Sequence, residues 1–274
     1  MIAGPAWLFC PADRPERFDK AADRADAEIL ELEDAVLPAD RASARRSLAA
    51  VPVDPCRTLV RVNAAGTPDF PRDLDAVAAT AYRIVMLAKT ESAAQLDPLA
   101  EAGFRVVALC ETAAGIEHAD EIARHPSVIA LMWGAEDLIG SLGGHSSRAD
   151  DGGYRDVARY ARSRVLIAAG AASKPAVDAV HLDIADSAGL RAEADAAAAV
   201  GFAATACIHP SQVPIVRAAY EPAAEEYEWA ADLLEEARAH AGVFRFRGRM
   251  IDAPVLRQAR TILERVARHA GAEA

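Results

Sequence analysis

Apolar, β-branched runs recur along this chain, and most are followed by enough residues for a helix. The runs are Ala6–Phe9, Ala27–Leu32, Thr58–Val62, Arg83–Leu87, Phe104–Cys110, Ser127–Trp133, Ala176–Leu182 and Ala203–Ile208. Inside each run the apolar residues are near-continuous instead of alternating with polar ones. A strand with one wet face alternates, and a strand covered on both faces does not, so the pattern predicts parallel strands. The intervening segments are rich in alanine, the residue with the best helix propensity. Helices are predicted at Asp73–Thr80, Ser92–Ala102, Gly115–His125, Tyr154–Ser173 and Ser187–Val200.

Eight strand–helix units in succession predict an α/β fold, a (β/α)8 or TIM barrel. A doubly wound open sheet is the competing arrangement, but no GxGxxG follows the first strand. After Pro210 the pattern changes. SQVPIVRAAYEPAAEEYEWAADLLEEARAHAG has helical character, and FRFRGRMIDAPVLRQARTILERVARHA reads as a short basic run and another helix. The expected organisation is a catalytic barrel over residues 1–212 and a C-terminal helical extension over 213–274. That extension either caps the barrel or crosses to another subunit.

Composition narrows the function. Apolar residues make up 52% of the 274 residues, enough for a large core. No run approaches the length of a membrane span, and MIAGPAWLFCPADRPERF lacks the basic start and long apolar centre of a signal peptide. A cytoplasmic location is expected. The net charge of −11 argues against nonspecific binding to nucleic acid or an acidic membrane. It leaves open an anionic small substrate, because a site answers to its local charges. Cys10, Cys56, Cys110 and Cys207 form no CxxC pair, so free thiols are expected and a structural zinc site is not.

In a barrel of this type the chemistry lies at the C-terminal ends of the strands. Polar residues cluster there: Glu31, Glu33 and Asp34; Arg61 and Asn63; Lys89 and Glu91; Glu111; Glu136 and Asp137; His181 and Asp183; His209. Glu111 and Asp137 end consecutive units and are therefore neighbours. Two carboxylates brought together repel unless a proton or a cation sits between them. Oxygen ligands with room left for water and substrate suit Mg2+. Asp137 is accordingly read as a hard-metal ligand with Glu111 as its partner. An acid at a strand end also serves as a helix cap or a solvated loop residue, and Glu136 fits that description.

Arg61 interrupts an apolar strand. It either binds a substrate carboxylate or enolate oxygen, or forms a structural ion pair with Glu33 or Asp34. The turn Gly134–Ala135–Glu136 offers main-chain N–H groups to a substrate carboxylate, or is a plain strand-to-helix turn. His209 and Cys110 read as structural, and Lys89 and Glu91 as structural or at the pocket rim.

The stretches WLFCPADRPERF, ILELEDAV, LVRVN, VMLAKTES, CETAAG, LMWGAEDL, AVHLDIAD, GFAATACIHPSQ and FRGRMIDAPVL occur in order over nearly the whole chain. Together they resemble the citrate lyase beta subunit-like proteins of the HpcH/HpaI aldolase superfamily, closest to the stand-alone actinobacterial type. The resemblance implies a (β/α)8 barrel that assembles as homotrimers or hexamers. It implies Mg2+ held at Glu111 and Asp137. It also implies reversible cleavage of a citryl-, citramalyl- or malyl-CoA type thioester to an acetyl thioester and a 2-oxo acid such as oxaloacetate. In that likeness Arg61 contacts substrate; the turn Gly134–Ala135–Glu136 would then hold the oxo-acid carboxylate. Glu33 or Asp34 orients Arg61 or metal-bound water. Asp252, in the MIDAP motif of the extension, acts as acid/base in a neighbouring subunit's site. Arg14 and Arg17 are candidates for CoA phosphate contacts.

Three positions depart from the family pattern. Glu31 stands where aspartate is common, Ala88 where proline is usual, and Ala114 where an arginine is usual. An aldolase acting on free hydroxy-oxo acids and a noncatalytic, partner-dependent subunit are the alternative functions. The MIDAP tail favours the thioester branch.

Overall fold

The structure is a computed structural model that describes residues 4–272, with side chains described to residue 266. It divides into two compact units, the first ending at Val216 and the second beginning at Arg217.

In the first unit eight parallel strands close into a barrel. They are β1 (Ala6–Pro11), β2 (Ala27–Glu31), β3 (Thr58–Val62), β4 (Ile84–Leu87), β5 (Arg105–Cys110), β6 (Val128–Trp133), β7 (Ala176–Asp178) and β8 (Ala204–Cys207). Closure is direct: Ala6 of β1 pairs with Thr205 of β8, which removes the open-sheet alternative. All eight apolar runs are strands. The seventh is shorter than its apolar run, which extends to Leu182. The chain leaves the ladder after Asp178, and the carbonyl of His181 accepts the Gln212 Nε2–H at 2.8 Å instead of a strand partner. Leu182 and Ile184 then emerge into solvent.

Successive side chains on a strand point to opposite faces. Ala27 and Ile29, Leu59, Val107 and Leu109, and Ala130 and Met132 point into the barrel and form a dry core. One further step in the same register reaches Glu31, Arg61, Glu111 and Gly134. The strands thus place a charged layer directly over an apolar one. Helices wrap the outside, among them Phe70–Ala78, Asp156–Ala171 and Ser187–Val200. The predicted helix Gly115–His125 is two, Ala113–Glu117 and Ala119–Arg124, broken at His118. Ser92–Ala102 begins as a 3-10 turn over Ala93–Leu96 and continues as Asp97–Glu101.

The second unit holds the helices Ala224–Glu236 and Ala253–Ala272 around a hairpin of β9 (Phe244–Phe246) and β10 (Arg249–Ile251). Ala230, Leu233, Ile251 and Ala259 form its core. The basic run expected before the last helix is this hairpin. Arg247 and Gly248 turn it with φ of 41° and 81°, the left-handed pair that a two-residue hairpin loop requires.

Outside the barrel, on β2, Glu28 is buried with the Cys10 thiol beside its carboxylate. Burial pushes its pKa up to about 8. The folded chain therefore holds this proton more tightly than the unfolded chain. The associated stability is complete below the ordinary carboxylate range and is lost as pH rises toward 8. Replacing Glu28 with Met should raise the Tm more at about pH 8.5 than at about pH 5.5. Thermal unfolding at the two pH values checks this, and an equal shift at both would contradict it.

Candidate active site

The charged layer is built from the ends of five strands. At β2, fully buried Glu31 accepts the main-chain N–H of Glu33 with one oxygen and the Arg61 Nε–H with the other. Arg61 Nη2 lies 3.5 Å from Glu33 Oε2, and the guanidinium sits over the Phe9 ring at 4.9 Å. Burial works against the Arg61 charge, but Glu31, Glu111 and Glu33 outweigh it and raise its pKa. Arg61 is therefore tied to carboxylates while lining the cavity. Glu33, one of the two partners the sequence offered, forms an ion pair with it, but its hydrogen-bonded partner is Glu31. Asn63, one strand position further out, is not in the cluster. Its Nδ2–H groups go to the Leu32 carbonyl and to Asp73.

Past β4 the chain turns sharply. Lys89 adopts φ 50°, a left-handed conformation uncommon for a residue with a side chain. Its main-chain N–H then donates to Glu111 Oε1 at 3.0 Å. Its ammonium donates to Glu33 Oε1 at 2.5 Å and lies 3.2 Å from both Asp34 Oδ2 and Asp137 Oδ1. Sequence reasoning placed Lys89 among the polar strand ends, as structural or at the pocket rim, and missed its contacts with these carboxylates. The available signal was its position, at the end of the strand between those of Arg61 and Glu111.

Glu111 follows β5 and is almost wholly buried. Burial chiefly, and Asp137 and Glu33 in addition, push its pKa up to about 8 against the pull of Arg61 and Lys89. Close packing fixes its position. A Cβ on Gly134 would lie 2.7 Å from Glu111 Oε2, so the end of β6 reaches this carboxylate only as glycine. Thr112 caps the next helix by accepting the Gly115 N–H at 3.1 Å, and a Cβ on Gly115 would lie 2.3 Å from the Thr90 carbonyl. The helix Ala135–Ser141 carries Glu136 and Asp137 in its first turn, where the helix dipole favours negative charge.

These groups face a cavity of about 290 Å³. Phe9, Pro11, Leu109, Met132, Trp133, Ala179, Val180, Leu182 and Ile208 form its apolar wall. Glu31, Asp34, Arg61, Glu111, Gly134, Ala135, Glu136 and Asp137 form its polar part. Glu136 Oε1 accepts the Ser147 Oγ–H at 2.6 Å, which ties its carboxylate to the following loop. Glu33 does not line the cavity; it stands behind Arg61 and Lys89. Every lining residue belongs to the first unit, whereas Asp252 belongs to the second. There Asp252 Oδ1 accepts the Val255 N–H at 3.3 Å at the start of the last helix. His181 and His209 are committed elsewhere, to Glu193 and to Ser211.

The donor set fits a hard cation. Among the described residues no three His, Cys, Asp or Glu side chains converge as a cage. Glu111 and Asp137 supply two carboxylates at one cavity and leave the remaining positions for water and substrate, the pattern of Mg2+ sites.

Residues 6–210 match the HpcH/HpaI aldolase/citrate lyase family. The chain belongs to this family. It is 57% identical over 263 residues to a citrate lyase subunit beta-like protein of Mycobacterium tuberculosis, covering 96% of each chain. It is 27% identical over 286 residues to the mitochondrial citramalyl-CoA lyase of Homo sapiens, covering 93% of this chain and 83% of that one. The crystal structure of CitE from M. tuberculosis in complex with magnesium, acetoacetate and coenzyme A superposes with a TM-score of 0.93 at 57% identity. That match covers 97% of this chain and 98% of that one. The citrate lyase and citramalyl-CoA lyase relatives are carbon–carbon lyases.

Two departures from the family pattern have local explanations. Glu31, longer than aspartate, spans from the Glu33 N–H to Arg61. Ala88, unlike proline, has an N–H, which donates to the Val62 carbonyl at 3.4 Å and extends the β3–β4 ladder. The alanine at 114 has no structural explanation among the described residues.

Removing Arg61 would leave Glu31 buried without its cation and Glu33 with Lys89 alone. Arg61→Met should destabilise the fold by about 3–5 kcal/mol, and adding Glu31→Leu should restore part of the loss. Urea unfolding of the two single variants and the double variant measures this coupling. Strict additivity would contradict the ion pair.

Proposed function

We propose that this chain is a magnesium-dependent carbon–carbon lyase. It would cleave a 3-hydroxyacyl thioester of the citryl-, citramalyl- or malyl-CoA type to an acetyl thioester and a 2-oxo acid. The observation that carries this is the pair Glu111 and Asp137 at one apolar-walled cavity, with Arg61 beside them. The magnesium, acetoacetate and coenzyme A in the M. tuberculosis structure support the same assignment.

In this account Glu111 and Asp137 hold Mg2+. When bound, the ion supplies Lewis-acid stabilisation of negative charge on the substrate oxygens. The C3 hydroxyl gives up its proton to water, the bond between C2 and C3 of the thioester breaks, its electron pair passes into a thioester enolate, and C3 becomes the carbonyl carbon of the oxo acid. Arg61 steadies the enolate oxygen through a cation held in place beforehand by Glu31 and Glu33. Gly134, Ala135 and Glu136 border the position of the oxo-acid carboxylate. Glu33 acts as a positioning residue for Arg61 and Lys89. The dry wall of Phe9, Leu109, Met132 and Trp133 keeps water from the enolate.

Protonation of the enolate carbon is assigned to Asp252, delivered by the second unit of a neighbouring copy in a homotrimer or hexamer. In the synthetic direction the same carboxylate would take a proton from the acetyl thioester. A cytoplasmic location agrees with this chemistry, and among the described residues no helix is long and apolar enough to cross a membrane.

The test offers citramalyl-CoA, malyl-CoA and citryl-CoA with Mg2+, with chelated controls, and reads acetyl-CoA by mass spectrometry. Metal-dependent release from one of them is expected. Silence on all three would turn the assignment toward a free-acid aldolase or a noncatalytic subunit. Asp137→Ala should abolish turnover in a folded protein. Asp252→Asn should slow turnover by about 100-fold or more with metal affinity nearly unchanged, and loss of metal binding in that variant would refute its role as acid/base.

A further inference from the structure

Lys89 touches both members of the carboxylate pair by different groups. Its main-chain N–H holds Glu111, and its ammonium reaches Asp137. The left-handed backbone at this one residue lets it address two neighbouring strand ends. Arg61 cannot take this part, because Glu31 and Glu33 already bind it. Glu33, Asp34 and Asp137 are thus left to the Lys89 ammonium.

An ammonium 3.2 Å from Asp137 Oδ1 stands where a divalent ion bound to that carboxylate would repel it. The lysine side chain is long and flexible, and Glu33 and Asp34 remain as partners when it withdraws. We propose that Lys89 is the resident counter-cation of this site. In the metal-free protein it neutralises Asp137, and it yields that carboxylate to the incoming metal while its main-chain N–H keeps Glu111 in place. This rests on the assignment of Glu111 and Asp137 as the metal pair. It makes Lys89 a competitor of the metal and a stabiliser of the empty site, a positioning role distinct from metal ligation.

The test is Mn2+ binding to the intact protein, followed by electron paramagnetic resonance, with thermal unfolding in the absence and presence of Mn2+. The variants are Lys89→Met, which removes the charge and keeps the stem, and Lys89→Gly, which adopts the left-handed backbone freely. Both should bind Mn2+ more tightly than wild type, by about tenfold, because a competing positive charge has gone. Both should unfold at lower temperature without metal and gain more from Mn2+ than wild type does. A lysine that served only to brace Asp137 would give the opposite sign. Unchanged or weaker Mn2+ affinity in whichever variant folds, beside normal wild-type binding, would overturn the proposal alone. If both variants fail to fold even with Mn2+ present, Lys89 is a structural residue and the proposal also fails. Wild-type protein without Mn2+ affinity, or Asp137→Ala protein binding like wild type, would overturn the metal assignment and this proposal with it.

Discussion

Five carboxylates gather around two cations at the mouth of the barrel. Glu31 and Glu33 engage Arg61; Glu33, Asp34 and Asp137 engage Lys89; Glu111 receives only a main-chain N–H from that lysine. So much negative charge in a poorly solvated place cannot remain uncompensated. The molecule answers in two ways. Burial pushes Glu33 up to about 7 and Glu111 up to about 8, toward the protonated state. The geometry leaves Glu111 and Asp137 facing an open cavity, where a divalent ion would restore the balance. The rigid apolar layer below gives the charges no route of retreat. Gly134, with no Cβ, leaves the space that the Glu111 carboxylate occupies.

The strand arithmetic explains how the sequence builds this. A two-residue period carries Leu59 to Arg61 and Leu109 to Glu111 on one face of each strand. A core that requires apolar residues at the lower positions therefore delivers the charged ones to the top. Eight near-continuous apolar runs made the barrel legible, and the spacing of Glu111 and Asp137 by one strand–helix unit placed them at one cavity. The direction of side chains across the barrel was not legible. Glu33 and Asp34 were the expected ion-pair partners of Arg61, and Glu33 is one, but Glu31, which shares its inward face, makes the hydrogen bond. Lys89 lies far from Glu33 and Asp137 along the chain, and its reach depends on a single left-handed residue that no apolar pattern encodes.

Elsewhere the local pattern misled for identifiable reasons. The seventh apolar run continues past the end of β7 because Ala179 and Val180 line the cavity, so their apolar character serves the pocket and not the ladder. In the second unit, charge masked a hairpin. FRFRGRMI alternates as strands do, and its Arg-Gly turn is the residue pair at positive φ, but three arginines made it look like a basic segment. Asp252 directly follows that hairpin, which sets where the last helix begins.

The central claim is that the acidic mouth of the barrel is a divalent-metal site formed by Glu111 and Asp137. Crystals soaked in Mn2+ and measured for anomalous scattering test it most directly. The account predicts one strong peak within about 2.3 Å of an oxygen of each of these two carboxylates, with no third protein side chain bound. A peak centred on other residues, or none at saturating Mn2+, would contradict it.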